Sequence, residues 1–326
     1  SLLSQENFKI YTVLSGKIRR YFSFKNITDI LFNIPVGFLQ SFFLILFINP
    51  KLVFSKGGGG SAIVCLAAST MDTPIFLHES DSVLGLSNKL VSKYAKKVFT
   101  SFPETDEVDL SKTIIVGNPI REELLSGNLE EARKIFNLTS QKPVLLFLGG
   151  SQGAEAINDF VLSILSDILN NYEVIHVSGV NNFKKTQAES RAILNFNKDL
   201  IQYYHLYESL NEVQLKNAYF ASSLIISRSG SGSIFEIAAL GKPSILIPLP
   251  SAASNHQSKN AYQYSKSGTA VVIEQENLTH NFFIGKINLL LYMSEKMKVA
   301  ALKFAKPLAA KVIAKEILEF LNSHKL

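Results

Sequence analysis

The stretch that decides the fold is Pro143–Asn158, PVLLFLGGSQGAEAIN. An apolar run of strand length stops at Gly149-Gly150, passes through Ser151, Gln152 and Gly153, and continues with helical spacing. A strand that is apolar on both faces belongs in the middle of a parallel sheet with helices on either side. A glycine turn between such a strand and its helix brings free backbone N–H groups and the positive end of the helix dipole to one point, which suits an anion. The same turn can also serve only for tight packing, so on its own it does not identify a ligand.

Working outward, the pattern repeats. KLVFS (51–55), TPIFLHES (73–80), KKVFTS (96–101), TIIVGN (113–118), YEVIHVSG (172–179), SLIISRSG (223–230) and PSILIPL (243–249) read as further strands. Segments with apolar residues three and four apart, such as 154–169 and 233–240, lie between them. Alternating strands and helices predict an α/β chain with two doubly wound sheets. Asn118-Pro119 breaks regular structure, and the expected division is 1–120 and 121–306. The helix after Pro307 (307–326) is expected to return to the first domain.

Composition narrows the function. With 326 residues, 47% hydrophobic and 18% charged, the chain is globular and long enough for two domains. One cysteine, Cys65, excludes an internal disulfide framework. The net charge of +6 comes without any run of five basic residues, which argues against nucleic acid as a partner. There is no His/Cys cluster with ligand spacing, so no metal site is expected. Neither a P-loop nor a dinucleotide fingerprint is present.

One segment departs from the alternation. NIPVGFLQSFFLILFINP (33–50) is very apolar, yet in the 22 residues from Ile27 to Ile48 Asp29, Asn33, Pro35, Gly37, Gln40 and Ser41 interrupt the apolar run. A spanning helix needs about 20 apolar residues. The segment reads either as a buried core helix or as a surface helix that dips into a membrane. In the second case Phe38, Phe42, Phe43 and Phe47 face lipid, and Lys17, Arg19, Arg20 and Lys25 meet anionic headgroups.

Two more glycine turns follow strands: SKGGGGSA (55–62) and SRSGSGSIFE (227–236). In the latter, Ser231, Gly232 and Ser233 can hold a diphosphate, and Glu236 can accept from the hydroxyls of a ribose. Alternatively Glu236 is a first-turn acid that complements the helix dipole, worth ~0.3–1 kcal/mol. Arg228 reads as structural. His256 and Gln257 sit in the loop after the next strand, where a sugar can lie. His78, Glu79 and Asp81 gather at the end of a first-domain strand and suit general-base work or binding of an acceptor.

Taken together, GGSQGAEAIN, HESDSVLGLSNKL, VGNPIR, RSGSGSIFE and IPLPSAASNHQSKNA, in this order, resemble the lipid-linked N-acetylglucosamine transferases of glycosyltransferase family 28. The resemblance covers nearly the whole chain. It implies a GT-B fold, two Rossmann-like domains around a cleft. It implies metal-independent, inverting transfer of GlcNAc from UDP-GlcNAc to lipid I, giving lipid II for peptidoglycan and so for cell shape and division. No cofactor is implied. The implied partners are UDP-GlcNAc, lipid I, the cytoplasmic leaflet, on which such enzymes sit peripherally, and a cell-wall synthesis complex. On the donor side it assigns Arg121, Gly150, Ser151, Gln152, Gly153, Glu212, Val213, Ser231, Gly232, Ser233, Glu236, His256 and Gln257. On the acceptor side it assigns Gly57, Gly58 and Asp81, with His78, Glu79 and Asp81 as candidate catalytic groups.

The sequence departs from the family at its start. Relatives open with a strand and a GGTGGH loop, whereas Ser1 corresponds to the region leading into the second strand–helix unit. The first domain is therefore expected to be incomplete, and this chain alone to bind UDP-GlcNAc weakly and transfer poorly. Gly59 and Gly60 are expected to loosen the acceptor-side loop. Two other readings stay open. One is a transferase of the same fold with another lipid acceptor. The other is a UDP-sugar-binding subunit that depends on a partner chain.

Overall fold

The structure, a computed structural model, describes residues 8–16, 29–149 and 154–323. The chain divides into two compact units, Ser1–Val116 with Ile313–Leu326, and Gly117–Val312. The break falls earlier than the expected 120/121. The backbone N–H of Val116 still donates to Thr100 O in the ladder of the first sheet, and Gly117 then turns the chain at φ +87°. At the other end the crossing lies within the last helix, Ala309–Ser323, and not at Pro307.

The first unit holds a parallel sheet of β1 (Val53–Ser55), β2 (Ile75–Glu79), β3 (Lys97–Thr100) and β4 (Thr113–Ile115), in that spatial order. The two-residue period of β2 divides its side chains between two cores. Ile75 and Leu77 pack with Cys65, Val91 and Val98, while Phe76 packs with Phe99, Ile313 and Phe320 from the last helix. The Phe76 and Phe320 rings lie 5.1 Å apart.

The apolar 33–50 segment forms the helix Ile34–Ile48, with Pro35 in its first turn, where a missing N–H costs nothing. It is not a core helix. Only Gly37, Ser41 and Ile45 are buried, a stripe at four-residue spacing packed toward the helix Gly59–Ser69. Gly37 is required there, because a Cβ would lie 1.9 Å from Leu14 O. Phe43 and Phe47 are 51% and 81% exposed, and Phe38 and Phe42 are half-buried. The residues Leu31–Ile48 are long and apolar enough to cross a membrane by composition. Lys17, Arg19, Arg20 and Lys25 lie outside the described residues.

The second unit holds a six-stranded parallel sheet of β5 (Val144–Leu148), β6 (Glu173–Val177), β7 (Tyr204–Tyr207), β8 (Leu224–Ser227), β9 (Ser244–Leu246) and β10 (Ala270–Val272). Its spatial order is β10-β9-β8-β5-β6-β7. The chain winds outward from β5 to β7, returns to β8 beside β5, and winds outward again. Strand order therefore reverses between β5 and β8. In open parallel sheets, ligands bind at the carboxyl ends of the strands at this point.

Candidate functional site

Three residues, Arg228, Ser229 and Gly230, separate β8 from the helix Ser231–Ala239, which starts at the switch point. Gly230 precedes it in an extended conformation, and no side chain caps it. The first N–H groups of an α-helix have no partner within the helix, so those of Ser231, Gly232 and Ser233 are available to an anion. Ser231 Oγ is buried without a hydrogen-bond partner in the structure. A Cβ at Gly230 or Gly232 would meet nothing within 4 Å, so the turn faces open space. Serine and glycine here leave the amides uncovered, as a diphosphate needs. Gly150, Ser151, Gln152 and Gly153, at the end of the neighbouring β5, lie outside the described residues.

Glu236 lies beyond the first turn of this helix, so it does not serve as the dipole-complementing acid that its sequence position allowed. Its carboxylate is held from two sides. Arg121 donates to Oε1 from Nη2 at 2.8 Å and from Nε at 3.2 Å. The Tyr219 hydroxyl donates to Oε2 at 3.1 Å. Burial works against the charge of Arg121, but the bonded Glu236 carboxylate outweighs it and the guanidinium pKa is raised. Burial, reinforced by the charge of Glu236, pushes the Tyr219 phenol well above its ordinary range. The sequence brought Arg121 and Glu236 to one site but not into contact. Tyr219 it missed entirely, since an aromatic at helical spacing reads as core.

The helix Glu212–Ala221 supplies the next wall. Asn211 and Gln214 close a reciprocal cap at its start, which fixes the backbone of Glu212 and Val213 between them. Both residues are exposed. Backbone groups held in this way can meet the edge of a planar base without any change of side chain.

After β9 the chain passes Leu249 and reaches His256 and Gln257, which open the helix His256–Ser265. Ser254 and Asn255 both take left-handed φ just before it. His256 Nδ1 donates to Ala253 O at 2.7 Å, so its Nε2 is left as an acceptor. Gln257 Oε1 accepts from Leu249 N at 3.0 Å, which leaves its amide N–H groups to donate. One acceptor and one donor side by side suit a sugar's hydroxyls. Arg228 is structural as read: Nη1 donates to Ile247 O and Pro248 O, and Nη2 to Gln275 Oε1, pinning the loop that carries this pair.

In the first unit, Gly57 and Gly58 take φ of +88° and +96°. Gly59 and Gly60 are not part of a loosened loop; they are the first residues of the helix Gly59–Ser69. Glycine's helix penalty of ~1 kcal/mol does not prevent this, because Ala62, Cys65 and Ala68 further along anchor the helix on the sheet. Glu79 is 4% exposed, and its oxygens accept from Asp81 N, Gly85 N and Asn88 Nδ2. That geometry makes it a clamp for the 80–88 loop and corrects its expected role as a base. His78 is fully buried, with Ser101 Oγ 3.4 Å from Nε2. Of the three acceptor-side candidates, only Asp81 reaches solvent.

Residues 144–317 match the model of the glycosyltransferase family 28 C-terminal domain, and residues 1–100 that of the family 28 N-terminal domain. A UDP-N-acetylglucosamine–N-acetylmuramyl-(pentapeptide) pyrophosphoryl-undecaprenol N-acetylglucosamine transferase of Clostridium tetani is 37% identical over 298 residues, 91% of this chain and 80% of the relative. A protein of the same name from Geobacillus kaustophilus is 39% identical over 272 residues, 83% of this chain and 72% of the relative. Among solved structures, Acinetobacter baumannii MurG superposes with a TM-score of 0.73 at 23% identity, covering 98% of this chain and 86% of that one. At that identity the likeness speaks for the fold alone.

Proposed function

The chain belongs to glycosyltransferase family 28, and on that premise we propose that it moves N-acetylglucosamine from UDP-N-acetylglucosamine to lipid I, giving lipid II. The observation that carries the reading is one helix at the switch point of the second sheet. It presents an uncapped N-terminus with Ser231, Gly232 and Ser233, and Glu236 further along.

The chemistry follows from what these groups can do. Transfer forms a bond from C1 of the sugar to the C4 oxygen of the acceptor and breaks the bond from C1 to the diphosphate. The hydroxyl proton passes to a base, and Asp81 is the acceptor-side group we assign to it. Negative charge grows on the departing UDP. Oriented N–H groups at the helix start stabilise it, and so does Arg121, once the ribose hydroxyls take its place on Glu236. His256 and Gln257 read the hydroxyls of the sugar, and the backbone of Glu212 and Val213 reads the base. We place the protein peripherally on the cytoplasmic face of the membrane, with Phe43 and Phe47 inserted among the lipids.

The test is incorporation of label from UDP-[14C]GlcNAc into lipid in membranes that contain lipid I and this chain. The expected result is labelled lipid II, in low yield for this chain alone, and less label still for Glu236→Ala. Label in a different lipid reassigns the acceptor. A chain that binds the donor yet labels nothing is a partner-dependent subunit, the second reading of the sequence.

A further inference from the structure

Tyr219 lies on the helix Glu212–Ala221, apart from every glycine turn and sugar-reading loop. Its side chain is 2% exposed, so no ligand reaches its ring. Its hydroxyl donates to Glu236 Oε2 at 3.1 Å. This is the inner oxygen of the pair; Oε1 meets Arg121, whose side chain is half exposed. A buried phenol on one oxygen fixes the carboxylate plane, which would otherwise turn freely about its terminal torsion.

We propose that Tyr219 is a positioning residue for the donor, holding Glu236 so that its carboxylate meets the two ribose hydroxyls as a flat, preset pair of acceptors. The proposal rests on the reading of Glu236 as the ribose acid. Each carboxylate oxygen has two lone pairs, so Oε2 can accept from a ribose hydroxyl beside the phenol. Burial keeps Tyr219 in its neutral, donating form at neutral pH. Phenylalanine at this position keeps the ring and removes only the hydroxyl. The buried side of Glu236 then loses its donor, and the carboxylate turns toward Arg121. The cost appears in donor binding and not in the chemical step, because C1 and its leaving oxygen are untouched by Glu236.

The test compares the unmodified protein with Tyr219→Phe, using UDP and its 2′,3′-dideoxy counterpart as probes, with thermal unfolding as the check on the fold. The expected result is that Tyr219→Phe weakens UDP about tenfold, the scale of one hydrogen bond to a charged group, and leaves the dideoxy ligand unchanged. In transfer assays KM for the donor rises and kcat holds. In a Glu236→Gln background the same substitution has little further effect on UDP. Equal weakening of both ligands would make Tyr219 a packing residue only and overturn the proposal, as would UDP affinity unchanged by Tyr219→Phe. If the unmodified protein binds UDP and dideoxy-UDP equally, the ribose role of Glu236 fails first, and the proposal goes with it.

Discussion

Arg121 and Glu236 are joined through a single oxygen: Nη2 and Nε of the arginine both donate to Oε1, at 2.8 and 3.2 Å, across 115 residues of sequence. In the function proposed above both groups act on the donor, Arg121 on the diphosphate and Glu236 on the ribose. In the structure each satisfies the other. Binding of UDP therefore exchanges one charged contact for two. Arg121→Met is expected to weaken UDP ~10–100-fold through loss of a charge-assisted contact. The same variant should bind uridine, which has no phosphate, up to about fivefold more tightly, since a half-exposed ion pair is worth ~1 kcal/mol at most. Parallel titrations of the two ligands check this, and weakening of both would remove the exchange from the account.

Glu79 separates a structural role from a catalytic one. Its carboxylate accepts from two backbone N–H groups and from Asn88, all within the 79–88 loop. Glu79→Gln places an amide donor against donors and should cost ~2–3 kcal/mol of stability in urea unfolding. Stability unchanged, with transfer lost, would restore Glu79 as the base.

The buried imidazole of His176 predicts a pH dependence. Nδ1 pairs with the Tyr204 hydroxyl and Nε2 with Asn158 Oδ1, and burial lowers its pKa to about 3 from the usual 6.5. The unfolded chain takes up a proton as pH falls below 6.5, and the folded chain does not until about 3. Stability that is full above 6.5 is therefore lost as pH drops through this window, with a slope of at most ~1.4 kcal/mol per pH unit from this group. Replacing His176 with glutamine should flatten the slope between pH 6.5 and 4.5, measured by denaturant titration at each pH.

On the helix Ile34–Ile48, Phe43 and Phe47 are exposed and their rings lie 6.4 Å apart. Changing both to aspartate should reduce binding to anionic phospholipid vesicles on the order of 100-fold or more, since burying each ring contributes ~1.5–3 kcal/mol. Melting temperature should hardly move, because neither side chain packs in the core. Vesicle binding that survives the change would place the contact elsewhere.

Eight of the ten strands among the described residues were legible because each is a continuous apolar run next to a turn signal. The two that were not, Tyr204–Tyr207 and Ala270–Val272, are the sheet's edges. Tyr204–Tyr207 is half-buried along its whole length, and Val271 and Val272 of the other are half-buried too, so neither carries a strong pattern. The glycine turn at Ser231 and the acid at Glu236 could be read from spacing. The Tyr219 contact could not, since a buried tyrosine and a core phenylalanine leave the same mark in a sequence. The clamp at Glu79 was hidden for a related reason: three titratable side chains within four residues, His78, Glu79 and Asp81, look reactive until their hydrogen bonds are counted. Whether the Ile34–Ile48 helix lay in the core or on the surface depended on Gly37 and Ser41, whose small size allows contact along one narrow stripe while the phenylalanines stay outside.

The central claim is that the second unit is a UDP-N-acetylglucosamine site built on Glu236 and the helix it belongs to. The most direct measurement is a calorimetric titration of UDP-GlcNAc, with GDP-mannose as the control, into the folded chain and into its Glu236→Ala variant. The account predicts saturable binding of UDP-GlcNAc, weakened at least tenfold by the substitution, and poor binding of GDP-mannose. A folded chain that binds neither, or that binds UDP-GlcNAc equally well without the Glu236 carboxylate, would contradict it.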